Sequence, residues 1–456
     1  MTDHAAVSFD WKPQPEAAAL VAALLEEACG DCRVLTELAT ALIEKTGTRL
    51  IDWVDHFHLA DDPALRGRLA EVGFSLEQTG RLTVWRHDAG MFPAIVLSGA
   101  LATRRVAIDV ESVADFLVAQ GLGDETPIHG GPLAPLRMAK VADGATSEVW
   151  AIERHGATGF DPITIDDGQA AAVIRHSEAF WRRQRRFVDP ADGFAHARGL
   201  IQASIEDLGV DRTCDLFFAA ERRYWQRRNR AGRQQRARQD ALGLGWANHD
   251  HHTYRSSRRW FADLIASLEL LGFFCRERFY AGQEADWGAQ VLEQSATGTV
   301  VFADVDMRQE EVVGDFSHEG LPPQDGVGTI GLWCALHGEA FLEAGLHHLE
   351  CQFDYRAARD QLAAEAVESM PPFTDFDFLK QAFTQGEMWP VRSERLDAAL
   401  SSGLIDEAQA ERFRREGALG SHLEILERND GYKGFNQTGI SEIILKTDPR
   451  RQSVSS

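Results

Sequence analysis

Apolar and polar positions set out the same short pattern twice along this chain. Leu50 to Leu59 (LIDWVDHFHL) alternates like a half-buried strand. Asp61-Asp62-Pro63 then gives an acidic cap with proline in the first turn, which predicts a helix over Ala64–Val72 closing at Gly73-Phe74. Arg81–Arg86, Phe92–Leu97 and Arg104–Val110 read as three strands between glycine-containing turns. Far downstream, a strand through His251-His252-Thr253-Tyr254-Arg255 precedes an amphipathic run, Trp260 to Leu271, that stops at Gly272-Phe273. Phe274–Tyr280, Gly288–Glu293 and Thr299–Asp306 follow as strands. The order is β-α-β-β-β in both places, and an internal repeat sets the architecture of the whole chain.

The rest reads mainly as helix. Pro15–Ala28 and Val34–Lys45 are helices, and Cys29-Gly-Asp-Cys32 between them reads as a turn with incidental cysteines rather than a metal or redox pair. Thr329–Ala366 keeps an apolar face at helical spacing and predicts one long helix carrying His337, His347, His348 and Glu350. His347 and Glu350 have the i, i+3 spacing of helical metal sites, a spacing that also occurs without metal. Ala398–Gly417 reads as helix, Gly431–Lys446 as a glycine-rich loop entering a last strand, and Thr447–Ser456 as a polar tail. The expected organisation is α+β: N-terminal helices over 1–48, a first module over 49–110, a mainly helical insertion over 111–245, a second module over 246–310, and a helical extension with a final strand over 311–456.

Charge narrows the field of partners. A net charge of −23 argues against non-specific binding to nucleic acid or an anionic membrane. The arginine-rich stretch Glu221–Ala241 is therefore read as an intramolecular or interface helix, with RNA binding or an anionic substrate as its alternatives. No apolar run approaches the roughly 20 residues that span a bilayer. Six cysteines are too few for a disulfide framework, and the opening segment has no basic stretch followed by an apolar one. A cytoplasmic protein is the expectation, and an oligomer is left open.

The repeat also points to chemistry. On a strand, His251, Thr253 and Arg255 share one face, while His252 and Tyr254 share the other. His56 and His251 hold equivalent places on the two first strands, and Asp304 and Asp306 share a face on the last strand of the second module. Paired modules can curl into a common cup, bringing two histidines and one carboxylate together as a facial triad. That set suits Fe(II) with open positions for substrate and O₂, with Mn²⁺ or Zn²⁺ as alternatives. The bland alternative is a pair of half-buried histidines beside neighbouring aspartates.

This arrangement resembles the vicinal oxygen chelate superfamily, whose paired β-α-β-β-β modules bind a metal through strand-borne histidines and a glutamate. More narrowly, it is similar to the 2-oxoadipate dioxygenase/decarboxylase (2-hydroxyglutarate synthase) family. The resemblance rests on the His251-His-Thr-Tyr-Arg255 stretch, on Gln294 in VLEQSA and on Asp306 in ADVDMR. It implies His56, His251 and Asp306 as metal ligands, with Asp304 one pleat away, and Gln294 as a substrate-binding residue. Two departures stand out: aspartate replaces the family's metal glutamate, and Ala60 stands where the family carries a substrate-binding arginine, for which Arg255 is a substitute by symmetry. The activity implied is an Fe(II)-dependent oxygenase/decarboxylase acting on a small 2-oxo acid. An isomerase or lyase on the same scaffold, or a binding protein without catalysis, is the alternative.

Overall fold

In the computed structural model, residues 10–79, 82–99, 101, 103–282, 286–436 and 447–451 are described. Two helices, α1 (Pro15–Asp31) and α2 (Arg33–Thr46), lead into β1 (Val54–Ala60), α3 (Pro63–Glu71), β2 (Ser75–Thr79), β3 (Leu82–Arg86) and β4 (Ala94–Ser98). Cys32 is the shared cap of α1 and α2, so the Cys-x-x-Cys segment is a helix junction. Asp62 caps α3 by accepting from the Ala64 amide, with Pro63 in the first turn as the sequence predicts. β1 pairs with β4 in parallel and β4-β3-β2 run antiparallel, which closes the first module at β4.

That is one strand earlier than the sequence suggests. β2 (SLEQT) offers a single large apolar residue, Leu76, which is 58% exposed, so no buried face announces the strand. The strand read over Arg104–Val110 instead opens a further unit. β5 (Arg104–Asp109), α4 (Val113–Ala119), β6 (Leu136–Asp143) and β7 (Ser147–Arg154) repeat the pattern, with β5 and β7 parallel. The place of its missing strand is marked by a bridge between His129 and Met138. The region over 111–245 is thus not mainly helical throughout, and its helices begin with α5 (Asp167–Trp181), α6 (Pro190–Leu208), α7 (Val210–Gln226) and α8 (Arg230–Asp240).

The second half follows the same plan. β8 (His249–Ser256), α9 (Phe261–Leu270), β9 (Phe274–Tyr280), β10 (Trp287–Gln294) and β11 (Thr299–Asp306) form the module expected from the sequence, β8 parallel to β11. Thr329–Ala366, expected as one helix, is α10 (Thr329–His337), a π-turn, β12 (His348–Gln352) and α11 (Tyr355–Ala364). Gly338 (φ 97°) and Gly345 (φ 76°) stop the helical backbone. β13 (Thr374–Phe376), β14 (Leu379–Phe383), β15 (Glu387–Trp389), α12 (Ser393–Ser401), α13 (Glu407–Glu416) and β16 (Ala418–Arg428) complete a fourth module, β12 parallel to β16. Of the glycine-rich loop and last strand expected over Gly431–Lys446, residues 437–446 lie outside the described residues.

The result is α+β, with paired modules in two open sheets. The seven-stranded sheet runs β2-β3-β4-β1-β5-β7-β6, and the second runs β13-β14-β16-β12-β8-β11-β10-β9 with β15 beside β16. In each sheet two modules meet through their first strands, β1 with β5 and β8 with β12, both antiparallel. Residues of β9 and of β14 line one cavity of the second sheet, so that sheet wraps round as a cup. No helix among the described residues is long and apolar enough to cross a membrane.

Several arginines of the arginine-rich stretch are tied to neighbouring elements, while Arg223, Arg227, Arg230 and Arg233 are exposed. Arg228 lies 3.7 Å from the ring centre of Trp389, Arg230 donates to the carbonyls of Glu365 and Ala366, and Arg238 donates to Gln361. On α7, buried Glu221 receives Arg183, Arg185 and the hydroxyl of Tyr254, pinning the outward face of β8 to the helices.

Candidate metal centre

Strand pairing puts three ligand-type side chains at one level of the second cup. Glu350 on β12 is in register with His251 on β8 and with Glu424 on β16. Alternation aims all three to the same face. One ligand atom from each lies within 4.8 Å of the others, and His251 Nε2 is 3.3 Å from Glu350 Oε1. One pleat along, His348 reaches back with its Nε2, 2.7 Å from Glu350 Oε1 and 3.9 Å from Glu424 Oε2. Thr253 donates to Glu350 at 3.0 Å, and Gln381 on β14 donates to Glu424 at 2.7 Å.

The histidine is presented in a defined form. Its Nδ1 meets Asp250 Oδ1 at 2.8 Å, and the Asp250 carboxylate takes two hydrogen bonds from Arg428, at 2.9 and 3.1 Å. Burial would raise the Asp250 carboxyl, but Arg428 and His251 hold it below the usual carboxylate range. An ionised Asp250 fixes the proton on Nδ1 and turns the Nε2 lone pair toward the two glutamates. Burial lowers the His251 pKa, which keeps the ring neutral and able to ligate. Asp250→Asn preserves shape but removes the charge that sets this tautomer. We expect divalent-metal affinity, read by competition with a chromogenic chelator, to fall about 10–100-fold.

The carboxylates are the feature that asks for a cation. Burial pushes Glu424 up to about 8, and burial followed by the charge of Glu424 pushes Glu350 well above its usual range. Glu350 is 0% exposed, and its Oε2 has no hydrogen-bond partner among the described residues. Two such groups facing one neutral imidazole are costly to ionise unless a positive ion joins them. His251, Glu350 and Glu424 therefore fit a divalent metal. The adjoining cavity, about 60 Å³, is walled by aromatic side chains that include Phe279, Phe302, Phe383 and Phe435, with Asp304, Gln381 and Asn436 as polar points.

The sequence-derived residues distribute unevenly around this centre. His251 belongs to it, and Asp304 lines the cavity beside it. Asp304 is raised to about 8 by burial, opposed by Arg255 across the β8–β11 pair. Arg255 is itself 0% exposed; none of its guanidinium nitrogens has a hydrogen-bond partner among the described residues, and it does not line the cavity. Asp306 is turned to another task, accepting from the amides of Gly328, Ile330 and Gly331 at the start of α10. Gln294 donates to Asp211 and accepts from Thr297, away from the cavity.

The expected pairing of His56 with His251 needs correction. His56 sits on the first sheet, because each module pairs with the next module in the chain rather than with its distant copy. The residues that join His251 come from β12, which falls inside the helix expected over Thr329–Ala366, and from β16, which falls between the elements expected at Ala398–Gly417 and Gly431–Lys446. His347 and Glu350, read as helical neighbours, are not on a helix, and His347 Nδ1 meets the Gly420 carbonyl instead. A signal was present: His-Leu-Glu occurs at 348–350 and again at 422–424, and those tripeptides lie side by side in parallel register.

A larger cavity, about 740 Å³, lies between the first sheet and α5 and α7. Two of its acids have cationic neighbours, Glu153 with Arg137 and Asp215 with Arg212, while burial and the charge of Asp55 push Asp109 well above the usual carboxylate range. No cluster of three ligand-type side chains forms there among the described residues.

No protein-family model matches the chain, and no curated protein matches it. Among solved structures it is similar to a triple mutant of 4-hydroxymandelate synthase from Streptomyces coelicolor, at 11% identity and a TM-score of 0.29, covering 88% of this chain and 99% of that one. Methylmalonyl-CoA epimerase from Mycobacterium tuberculosis matches at 10% identity and a TM-score of 0.22, over 40% of this chain and 88% of that one. YdcJ from Shigella flexneri, an uncharacterized protein that includes domain DUF1338, matches at 12% identity and a TM-score of 0.26, over 62% of this chain and 84% of that one. These likenesses are low, and the functional reading rests on the chain's own residues.

Proposed function

We propose that the chain is a metal-dependent enzyme, and more specifically an oxygenase/decarboxylase acting on a small 2-oxo acid. The observation that carries the reading is the buried His251–Glu350–Glu424 cluster at one register level, with Asp250 and Arg428 fixing the imidazole. His348 adds a second imidazole 2.7 Å from Glu350, and imidazoles with carboxylates and an open side suit Fe(II), with Mn²⁺ or Zn²⁺ as alternatives. Bound there, such a metal supplies Lewis acidity toward a chelating 2-oxo acid and a redox centre for O₂.

The chain's own groups do the rest. The aromatic wall keeps bulk water from the reacting atoms, and the cavity of about 60 Å³ restricts the substrate to a small one. Gln381 lines the cavity and holds Glu424 in place through its amide nitrogen, while its buried carbonyl oxygen has no hydrogen-bond partner among the described residues. Arg255, fully buried beside Asp304 and on the strand face of His251, supplies a positive charge near the cavity that favours an anionic substrate without lining it.

One observation favours a second reading, an isomerase or lyase on the same centre. Asp304, raised to about 8, carries a proton at neutral pH and stands at the cavity, as a general acid does. Oxygen uptake separates the two. Metal-loaded protein given a panel of short 2-oxo acids is expected to consume O₂ and release CO₂ in equal amounts. Substrate turnover with no O₂ consumed would sink the oxygenase reading and leave the isomerase or lyase.

A further inference from the structure

The first sheet keeps half of the apparatus of the second. His56 Nδ1 meets Asp55 at 2.5 Å, Arg154 donates twice to that carboxylate, and Phe160 packs edge-on against the His56 ring. Arg428, Asp250, His251 and Phe435 make the same set in the second sheet, with each arginine on the last strand of its module. The other half has been exchanged. His56 is in register with Ala107, and Ala107 with Trp150, where the second sheet places Glu350 and Glu424. His58 is in register with Arg105, where the second sheet pairs Thr253 with His348.

Both carboxylates are gone, and a cation and an indole stand in their region. The cavity there is about 240 Å³, four times the size of the metal cavity, and His56, His58, Arg105, His129, Trp150 and Phe160 line it. Asp161 is the one acidic residue in that lining. Arg105 uses its Nε on Glu148 and lies 5.1 Å from the Trp150 ring centre. The buried Nε2 of His58 has no hydrogen-bond partner among the described residues. With Nδ1 committed to Asp55, His56 shows the cavity its other nitrogen.

We infer that this cavity is a metal-free binding site for a small organic carboxylate with a flat, apolar body. Arg105 takes the carboxylate, Trp150 and Phe160 hold the body, and His56 and His58 meet a hydroxyl or amino group on it. The same strand geometry thus binds a cation in one sheet and an anion in the other, because the acids at the matching places have been replaced. The inference does not depend on the reaction proposed for the second sheet.

The test is calorimetric titration of the full-length protein with 4-hydroxybenzoate, benzoate and cyclohexanecarboxylate. Saturable binding of 4-hydroxybenzoate is expected, weakened tenfold or more in Arg105→Gln and unchanged in His251→Ala. If Arg105→Gln does not fold, Trp150→Ala reads the same cavity and is expected to weaken the aromatic acids more than cyclohexanecarboxylate. Binding lost in His251→Ala but kept in Arg105→Gln places the acid in the second sheet and overturns the inference. So does failure of all three acids to bind, or a metal equivalent that disappears in His56→Ala.

Discussion

His251→Ala, Glu350→Ala and Glu424→Ala are each expected to remove the bound divalent metal, and with it all metal-dependent turnover. The three side chains come from three adjacent strands at one level, so no neighbour at that level can take the place of a missing one. Elemental analysis after loading with Fe(II), Mn²⁺ or Zn²⁺ is expected to find about one ion per chain in the wild type. The glutamate variants have a second expected property: a carboxyl raised by burial costs stability at neutral pH because folding must protonate it, so removing one leaves a metal-free fold at least as stable as the wild type. A wild-type chain that takes up none of these ions would end the proposal.

Glu221→Ala is expected to lower stability by about 3–5 kcal/mol, because it leaves Arg183 buried without its carboxylate. Burial alone would raise the Glu221 carboxyl, but Arg185 and Arg183 hold it below its usual range. A carboxyl depressed in the folded state stabilises above its unfolded value, near 4.3, and that contribution is lost as pH falls through the depressed value. The wild type should therefore lose this increment on acidification, while Glu221→Ala should show a correspondingly flatter acid limb in urea denaturation. Equal acid limbs for the two proteins would show that the network contributes nothing to folding.

What the sequence made legible was the repeat where each module carries an alternating strand and a capped helix. The second module was read strand for strand, since β9, β10 and β11 are long and bounded by turns. β12 was not, because its five residues sit between helical segments, and a helical period drawn through apolar residues on both sides absorbs them. That helical period hid Glu350, while Glu424 lies on β16, in a stretch to which the sequence analysis assigns no element; both belong to the proposed metal set. A histidine-aspartate pair at the head of a strand was enough to find His251. It also found His56, whose local sequence is alike but whose sheet partners are Ala107 and Trp150. Local pattern thus identified the strand that bears a ligand, while the partner strands decide whether a ligand set forms.

Arg428 has a further consequence. Its guanidinium holds Asp250 and also donates to the carbonyls of Tyr432 and Gly434, just before Phe435 packs on the His251 ring. One side chain therefore joins the electronic state of the ligand to the path of the segment over 429–436. By thermodynamic reciprocity, if the proposed ion binds there, whatever settles that segment tightens the grip on it, and the ion would settle the segment by the same free energy. Loading of the proposed metal and completion of the cavity wall would then be two readings of a single equilibrium.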